Sequence, residues 1–443
     1  MTAIHDHPLL ALPKFGTGPG LHRVRSLMTA VGIAADIGES CIVITGSNGK
    51  GSTARIASEL LCFDGADVGL FTSPHLYRYN ERIQVNGTEI ADADLIAAMD
   101  EVRHAVARYQ ALNTDSVGAF EAQFVTALLY FQQRQVRWRV LEAGIGGRYD
   151  PSRMVQSALT GLVSLDFEHT DLLGKSLAEI AFDKLDATRR GGMAILGETA
   201  LPLERQIRTY ADLTGLKPEF LRPANWKYWG LENGRQRFDI HDPDIVLANL
   251  SSSLIGRHQI NNHAVAIRLC CETLKRSGLW PQAGLAAKWR AAIEKVSWPG
   301  RLEKIHDDPA TYIDVGHTPE GVRAALSGYL SLTAGRASIL VTGGSKNKDV
   351  RRMLEILARA FDRILCTAAH HNGLGADEVL AIVKDIHPSA SADACPNITG
   401  AAEIALREAA ETGRAVYAAG GLFLAAEFAE ACRGGAPEKL RFF

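Results

Sequence analysis

The sequence has few cysteines and no pattern that would pair them. Its seven cysteines lie at positions 41, 62, 270, 271, 366, 395 and 432, without a CxxC motif or regular spacing. An odd, scattered set of this kind is typical of reduced, buried thiols rather than of a disulfide scaffold or a zinc site. The sequence therefore predicts a cytoplasmic protein with free cysteines.

Long apolar runs, a leader segment and an excess of charge are also missing. No run of about eighteen apolar residues is present, and the first residues, MTAIHD, do not resemble a signal peptide. The 48 basic residues nearly balance the 50 acidic ones, and no basic patch is interleaved with aromatic residues. We therefore expect neither a membrane nor nucleic acid as a partner.

Short apolar segments alternate with helical patterns through the first half of the chain. Strands are predicted at 41–45, 68–72, 137–142 and 159–165, and helices at 51–63, 91–109, 120–133 and 177–190. This alternation predicts an α/β fold with a mostly parallel sheet covered by helices on both faces. Residues 228–240 instead predict a hairpin, because Asn233-Gly234 separates two strand-like segments.

A glycine-rich segment, TGSNGKGST at 45–53, follows the first predicted strand and begins the first predicted helix. This is the layout of a phosphate-binding loop, in which backbone amides face the phosphates and Lys50 neutralises them. The spacing is a variant, because Gly51 separates the lysine from the hydroxyl residues that would approach Mg²⁺. We predict that ATP is bound by Gly46, Ser47, Asn48, Gly49, Lys50, Gly51, Ser52 and Thr53.

A second α/β pattern follows the segment Trp298-Pro299-Gly300. Its strands are predicted at 311–315, 338–342, 363–367 and 414–418, with helices between them. A chain of 443 residues is too long for one compact core, so several domains are expected. We predict a P-loop ATP-binding domain with a mostly parallel sheet at 1–296 and a smaller Rossmann-like α/β domain at 297–443.

Further motifs are spread over the chain. They are GLHRV (20–24), TSPHL (72–76), NERI (80–83), LEAGIGGR (141–148), EHT (168–170), GRHQ (256–259), PGRLE (299–303), DVGHTP (314–319) and KNKD (346–349), with a lysine at 184. Together with the P-loop and in this order, they resemble the folylpolyglutamate synthase/dihydrofolate synthase family, a branch of the ATP-dependent Mur-type ligases. The resemblance extends from residue 20 to residue 421.

The resemblance implies a ligation driven by ATP. In this family ATP phosphorylates a substrate carboxylate, and the amine of an incoming amino acid attacks the acyl phosphate to form an amide. Such chemistry requires phosphate-neutralising groups, Mg²⁺ and a protected site. The implied substrates are a folate- or pterin-type acid and L-glutamate, and the implied oligomeric state is a monomer.

The resemblance also implies two Mg²⁺ sites. Ser73 and Glu142 correspond to ligands of the first ion, a hydroxyl and a carboxylate as a hard cation prefers. His169 corresponds to a ligand of the second ion. Lys184 corresponds to a lysine that is carbamylated in the family, which converts a cation into a carboxylate-like metal ligand.

The second domain is implied to complete the site. Arg301 would reach the nucleotide phosphates from the segment between the domains, while Asp314 and His317 would contact nucleotide or intermediate. Domain closure would then assemble the site. The predicted catalytic residues are Lys50, His169, Lys184 and Arg301.

Several residues depart from the family pattern. Glu168 stands in place of Asp, Asp186 in place of Gly, and Arg153 in place of Asn. In the second domain Val315 replaces Gly and Thr318 replaces Asn, and valine adds bulk and disfavours positive φ. These departures favour an alternative function, that of a diverged paralogue joining another amine to another carboxylic acid.

Two functions of other classes are also open. A P-loop kinase or NTPase would hydrolyse ATP without ligation, but the second α/β pattern and Arg301 argue against it. A degenerate ligase that serves only as a binding protein is the non-enzymatic alternative. The joint presence of the predicted ATP-binding and metal-binding residues argues against that alternative.

Overall fold

The computed structural model describes residues 4–34, 36–63 and 65–442, and within these ranges the chain forms three sheets with helices packed on them. The predicted α/β fold with a mostly parallel sheet is confirmed. No helix in the described ranges is long and apolar enough to cross a membrane. All seven cysteines are free thiols.

An eight-stranded sheet dominates the N-terminal part of the molecule. Its strands are β1 (Cys41–Thr45), β2 (Val68–Phe71), β3 (Ile83–Val85), β4 (Thr88–Glu89), β5 (Trp138–Glu142), β6 (Leu159–Leu162), β7 (Met193–Leu196) and β8 (Lys217–Phe220). They lie in the order β4-β3-β2-β5-β1-β6-β7-β8, and only the β2–β3 and β3–β4 pairs are antiparallel. The carboxyl ends of β2, β5, β1 and β6 therefore meet at one end of the sheet, where α/β proteins bind ligands.

Helices cover both faces of this sheet. They are α1 (Leu21–Ala30), α2 (Lys50–Leu61), α3 (Asp92–Leu112), α4 (Ala119–Gln133), α5 (Thr170–Leu173), α6 (Leu177–Leu185), α7 (Glu204–Thr214), α8 (Arg257–Arg276) and α9 (Leu285–Lys295). Val43 of β1 packs with α1, α3 and α4, whereas Ile42 and Ile44 pack with α2, α8 and α9. The alternating side chains of β1 thus contribute to two cores.

A three-stranded antiparallel sheet lies between α7 and α8 in the chain. Its strands are β9 (Trp226–Glu232), β10 (Arg235–His241) and β11 (Val246–Ser252). The first two form the predicted hairpin, and Asn233 and Gly234 have the positive φ values, 51° and 71°, that a tight two-residue turn requires. The sequence does not predict β11, because its segment VLANLSS is too polar to show a clear strand pattern.

A six-stranded sheet forms the C-terminal part. Its strands are β12 (Glu303–His306), β13 (Thr311–Asp314), β14 (Ser338–Thr342), β15 (Arg363–Cys366), β16 (Ser391–Ala394) and β17 (Ala415–Ala419), in the order β12-β13-β17-β14-β15-β16. Only the β12–β13 pair is antiparallel. Its helices are α10 (Pro319–Leu332), α11 (Val350–Leu357), α12 (Ala376–Ile386), α13 (Ile398–Thr412) and α14 (Leu422–Cys432).

Differences from the predicted elements are confined to their ends. The helix predicted at 177–190 ends at Leu185, because the chain turns there and the Arg189 amide donates to the carbonyl of Ser157, next to β6. The N-terminal part ends with α9 at Lys295, and β12 begins at Glu303. A domain division at residue 297 stays a prediction.

Candidate active site

The P-loop joins β1 to α2 through a tight turn. Gly46 and Gly49 have φ values of 147° and 82°, and Gly49 is the N-cap residue of α2. A Cβ atom on Gly49 would lie 2.6 Å from Oδ1 of Asn262. The position requires glycine, because any other residue would be strained and would displace Asn262.

Lys50 folds back across this turn. Its ammonium group donates to the carbonyl oxygens of Gly46 at 2.7 Å and Ser47 at 3.4 Å. Its charge also lowers the pKa of the Glu142 and Glu168 carboxyls. A cation held over a tight turn at a helix N-terminus is placed to neutralise a phosphate.

Ser164, just beyond β6, fixes the shape of the P-loop. Its hydroxyl accepts from the Asn48 amide and donates to the Asn48 carbonyl, both at 2.8 Å, and its own carbonyl accepts from the Ser47 amide at 2.9 Å. The sequence does not single out Ser164. The signal that would have found it is its place just after a strand that neighbours β1.

The first turns of α2 contain two buried hydroxyls without a partner. Oγ of Ser52 and Oγ1 of Thr53 are inaccessible to solvent and form no hydrogen bond with any residue in the described ranges. An unsatisfied buried polar group costs about 1–3 kcal/mol. Such a cost at a helix N-terminus is typical of a site that a ligand completes.

Glu142 ends β5 and lies buried between the ends of β2 and β1. Its Oε2 accepts from the backbone amide of Ser73 at 3.1 Å. Burial raises the pKa of Glu142 to about 7, although the positive charges of Lys50 and Arg301 act in the opposite direction. The predicted ligands of the first metal ion are therefore neighbours in the fold.

Gly51, the residue that makes the P-loop a variant, lies against this carboxylate. A Cβ atom on Gly51 would be 3.4 Å from Oε2 of Glu142 and 3.1 Å from Nε1 of Trp298. The glycine thus allows α2 to approach both Glu142 and the segment between the two parts. A hydroxyl residue directly after Lys50, as in the ordinary P-loop, would crowd both neighbours.

Lys184 and Glu168 form a buried ion pair. Nζ of Lys184 donates to Oε1 of Glu168 at 2.5 Å, and Lys184 is only 1% exposed. Burial lowers the pKa of Lys184, Glu168 opposes this effect, and the charge of Lys50 adds to it. One departure from the family pattern, Glu168, therefore contacts the lysine directly and neutralises it in its unmodified form.

His169 follows this carboxylate at the N-cap of α5, with a φ of 45°. Burial lowers the pKa of its imidazole, and the positive charge of Lys348 from the C-terminal part lowers it further. The neutral imidazole is the form that ligates a metal. The structure places His169 beside Glu168 and close enough to Lys50, Lys184 and Lys348 to feel their charges.

Arg301 extends from the segment between the two parts into the same region. Its Nε is buried and has no hydrogen-bond partner among the residues that the structure describes. Burial raises the pKa of Glu142 in the N-terminal part and that of Asp314 in the C-terminal part, and the charge of Arg301 opposes both rises. The same charge adds to the lowering of the pKa of His317 that burial causes. Arg301 therefore lies between the two parts, and its Nε–H group is available to donate a hydrogen bond to a ligand.

Asp314 is the last residue of β13, and His317 follows it on the same side. Both carboxylate oxygens of Asp314 already accept backbone amides, from Gly316 at 2.7 Å and from Leu302 at 3.1 Å. Burial raises the pKa of Asp314 and lowers that of His317 to about 3. Asp314 thus holds the chain next to Arg301 in place, while His317 is a neutral imidazole.

Thr318 connects the P-loop to the C-terminal part. Its Oγ1 donates to Oδ1 of Asn48 at 3.3 Å and accepts from the Gly321 amide at 3.1 Å as the N-cap of α10. The departure at position 318 therefore lies in the contact between the two parts. Val315 keeps a negative φ and packs in the same core cluster as Leu76.

The side chains at the two remaining departures, Arg153 and Asp186, form hydrogen bonds with residues other than Lys184. Asp186 accepts from Nε of Arg148 at 2.6 Å and from the hydroxyl of Tyr210 at 2.5 Å. Arg153 donates to the carbonyl of Arg148 at 2.8 Å. Asp186 is close to Lys184 in sequence but forms its contacts with other residues.

A further group of potential metal ligands lies apart from this region. Asp242, Asp244 and Cys271 have ligand atoms close to one another. Arg268 and Lys275 both donate to Asp244, and Arg268 also faces Asp242. Protein cations therefore already neutralise these carboxylates.

Known proteins share this sequence pattern over most of the chain. A family described as "Mur ligase, glutamate ligase domain" matches residues 300–422. The folylpolyglutamate synthase of Lacticaseibacillus casei is 33% identical over 369 residues, with 82% of each chain covered. The dihydrofolate synthase/folylpolyglutamate synthase of Bacillus subtilis is 30% identical, covering 79% of this chain and 81% of the relative.

Solved structures share the fold. The folylpolyglutamate synthase of Mycobacterium tuberculosis complexed with ADP has a TM-score of 0.84 at 23% identity and covers 95% of this chain and 96% of its own. A structure described as an FPGS-AMPPCP-folate complex has a TM-score of 0.78 at 27% identity, with the same coverage. Both likenesses extend over the N-terminal and the C-terminal part.

Proposed function

Since the chain belongs to the folylpolyglutamate synthase/dihydrofolate synthase family, and is thus an ATP-dependent ligase of a carboxylate and an amine, we propose that it joins L-glutamate to a folate- or pterin-type acid. The observation that carries this proposal is the meeting of Lys50, Glu142 and Arg301 between the two parts. The relatives' names and the complex with AMPPCP and folate support the choice of substrates.

The residues present suit a nucleotide and Mg²⁺. The unpaired hydroxyls of Ser52 and Thr53 and the unpaired Nε of Arg301 are donors that phosphate oxygens would satisfy. Ser73 and Glu142 offer a hydroxyl and a carboxylate, which are hard oxygen ligands. When bound, Mg-ATP would supply the phosphoryl group that activates the acid.

The chain's own residues would bind the reactants and keep water out. Lys50 would hold the phosphates from one side and Arg301 from the other. Glu142 would hold Mg²⁺ in its ionised form, since the protonated acid is a poor ligand. Because an acyl phosphate is easily hydrolysed, the contact of Thr318 with Asn48 would help to close the site against water.

We also infer that Lys184 is carbamylated in the active enzyme. Burial lowers the pKa of its amine, which favours the uncharged form that reacts with carbon dioxide, and Glu168 would then release Nζ. A test is chemical rescue: the Lys184→Ala variant should be inactive and should regain activity with acetate. Lys50→Ala should not be rescued, and the absence of any rescue of Lys184→Ala would contradict the modification.

Four further properties belong to the proposal: the cellular environment, the oligomeric state, the absence of nucleic-acid and lipid binding, and the domain division. The seven free thiols support a reducing, cytoplasmic environment. We expect a monomer in light scattering and no binding to nucleic acid or lipid vesicles. We also propose that residues 1–296 and 297–443 are separate domains, which limited proteolysis near Trp298 would test.

The decisive experiment measures ADP release with Mg-ATP across a panel of acids and amino acids, with products identified by mass spectrometry. Dihydropteroate or a reduced folate with L-glutamate should give a product heavier by one glutamyl residue. If folates are inert and another acid–amine pair reacts, the diverged paralogue is the correct function. The departures at 153 and 186 give that alternative no support, because their side chains contact Arg148 rather than Lys184.

A further inference from the structure

A second pocket, named the distal pocket, lies between the end of α6 and α7. Its lining includes Arg153, Asp186, Arg190, Tyr210, Leu213 and Leu216. Its volume is about 270 Å³, near the lower end of the range for sites that bind small molecules. Arg190 precedes β7 and Leu216 precedes β8, so the pocket lies at the amino ends of these strands. The candidate active site lies at the carboxyl ends of the same sheet, and the two sites are therefore separate.

Two arginines of the distal pocket have no carboxylate partner. Arg153 is half-buried, and its Nη1 donates to the backbone carbonyl of Arg148 at 2.8 Å. Arg190 is exposed, and within residues 4–34, 36–63 and 65–442 its side chain forms neither a hydrogen bond nor an ion pair. Arg153 likewise forms no ion pair with any described residue. Both guanidinium groups can therefore accept a negatively charged partner.

The other charged residues of the distal pocket neutralise one another with their neighbours. Asp186 accepts from Nε of Arg148 at 2.6 Å, and Arg189 pairs with Glu39. These two pairs leave no net charge. The pocket thus has two positive charges in excess, those of its unpaired arginines.

Much of the remaining lining is apolar. Leu216 is buried, whereas Leu213 is 78% exposed. The ring of Tyr210 stacks on Phe182 with a centroid distance of 4.4 Å, and its hydroxyl donates to Asp186 at 2.5 Å. These two contacts fix the tyrosine at the side of the pocket. A hydrocarbon group bound here would remove the Leu213 side chain from water.

Two departures from the family pattern meet in the distal pocket. The pattern has Asn where this chain has Arg153, and Gly where it has Asp186. Asparagine would carry no charge, and glycine would leave Arg148 without its carboxylate partner. The charges that line the pocket are therefore a property of this chain and not of the family pattern.

We propose that the distal pocket binds a small organic carboxylate, with Arg153 and Arg190 holding its charged group and Leu213 and Tyr210 contacting its hydrocarbon part. A guanidinium group fits a carboxylate through two parallel hydrogen bonds. The apolar lining favours an organic anion over an inorganic one, because only an organic ligand buries apolar surface there. This inference does not depend on which substrates the active site ligates.

The test measures dissociation constants by ligand-observed NMR for benzoate, for its uncharged analogue benzyl alcohol and for inorganic phosphate. We expect benzoate to bind more tightly than either of the others, and its binding to weaken as the NaCl concentration rises. Arg153→Asn should weaken benzoate binding about tenfold. Arg190→Gln should weaken it about fivefold, since an exposed ion pair is weaker.

The matched control is Arg205→Gln. Arg205 is an exposed arginine of α7 that does not line the distal pocket, so this variant should bind benzoate as the wild type does. Leu213→Ser should weaken the binding of benzoate and leave that of phosphate unchanged. Arg190 and Leu213 are exposed, so thermal unfolding of their variants should match the wild type and separate a loss of binding from a loss of folding.

Three results would overturn the inference. One is benzoate binding that neither Arg153→Asn nor Arg190→Gln weakens. Another is an equal loss in Arg205→Gln, which would show a general effect of charge. The third is phosphate binding as tight as that of benzoate, which would show that the apolar lining does not select the ligand. Because the readout is binding and not ligation, a failure here leaves the proposed function untouched.

Discussion

Among single residues, Glu142 gives the site its expected pH dependence. Burial raises its pKa to about 7, so the carboxyl is largely protonated below that pH when no metal is bound. Because Mg²⁺ binds the ionised form and displaces the proton, the apparent Mg²⁺ affinity should fall about tenfold per pH unit below 7 and level off above it. Magnesium titrations of ADP release at pH 6 and pH 8 measure this. Glu142→Gln should be inactive, and a flat profile in the wild type would contradict the assignment.

Gly49 tests whether the shape of the P-loop controls ATP binding. Gly49 and Gly32 have similar φ values, 82° and 72°, so an alanine at either position costs roughly 1–2 kcal/mol of backbone strain. Only at Gly49 does the added Cβ meet Asn262, whereas Gly32 has open space around it. Both variants should unfold at lower temperature, but only Gly49→Ala should raise the KM of ATP, by about tenfold. If both variants raise the KM of ATP equally, the backbone strain rather than the contact with Asn262 causes the effect.

The structure brings several predicted site residues together, but their contact partners could not be predicted from the sequence. Lys50, Glu142 and Lys184 stand in recognisable motifs, and the fold brings them into one region. That Glu168 neutralises Lys184 could not be predicted, since the pairing depends on how the segment before α5 lies against α6.

Among the elements, α10 is connected to the P-loop by its N-cap residue, Thr318, which both stabilises the helix and contacts Asn48. Thr318→Val removes the cap, which costs about 1 kcal/mol, and it also removes the hydrogen bond to Asn48. We expect lower thermal stability and a lower kcat/KM for ATP. Thr318→Asn is the matched control, because asparagine caps helices as well as threonine does and should preserve stability. If Thr318→Val loses stability but keeps full activity, the contact with Asn48 has no catalytic role.

Elements with a strong local pattern were predictable, and those that depend on distant pairing were not. The segment CIVIT of β1 is buried throughout, and the strand predicted at 41–45 has the same ends as β1. The segments of β11 and β16, VLANLSS and SADA, are polar or small, and they form strands because β10 and β15 pair with them. Alternation of strands and helices therefore identified the fold class, while the edges of the sheets required the structure.

In the whole molecule, the N-terminal and C-terminal parts each contribute residues that pack into or bond to the other part near the site. Leu76, which follows the predicted metal ligand Ser73, packs into the core of the C-terminal part, and Ile255 does so on the opposite face of the six-stranded sheet. The backbone carbonyls of Arg441 and Phe442 make the reverse contact, from the C-terminal part to His75 and Arg82. Because these contacts flank the site, we expect nucleotide binding at the P-loop to depend on the relative position of the two parts.

Trp298 offers a direct measurement of that connection. It lies in the segment between the parts, and its Nε1 would be 3.1 Å from a Cβ on Gly51, so nucleotide binding at α2 should change its surroundings. We expect Mg-ATP to alter the tryptophan emission of the wild type, although five other tryptophans also contribute. Trp298→Phe should abolish most of this change, while Trp229→Phe, which removes a ring that is 56% exposed on the three-stranded sheet, should keep it. If Trp298→Phe keeps the full response, the segment between the parts does not sense the nucleotide, and the closure of the site must be sought at the contact of Thr318 with Asn48 instead.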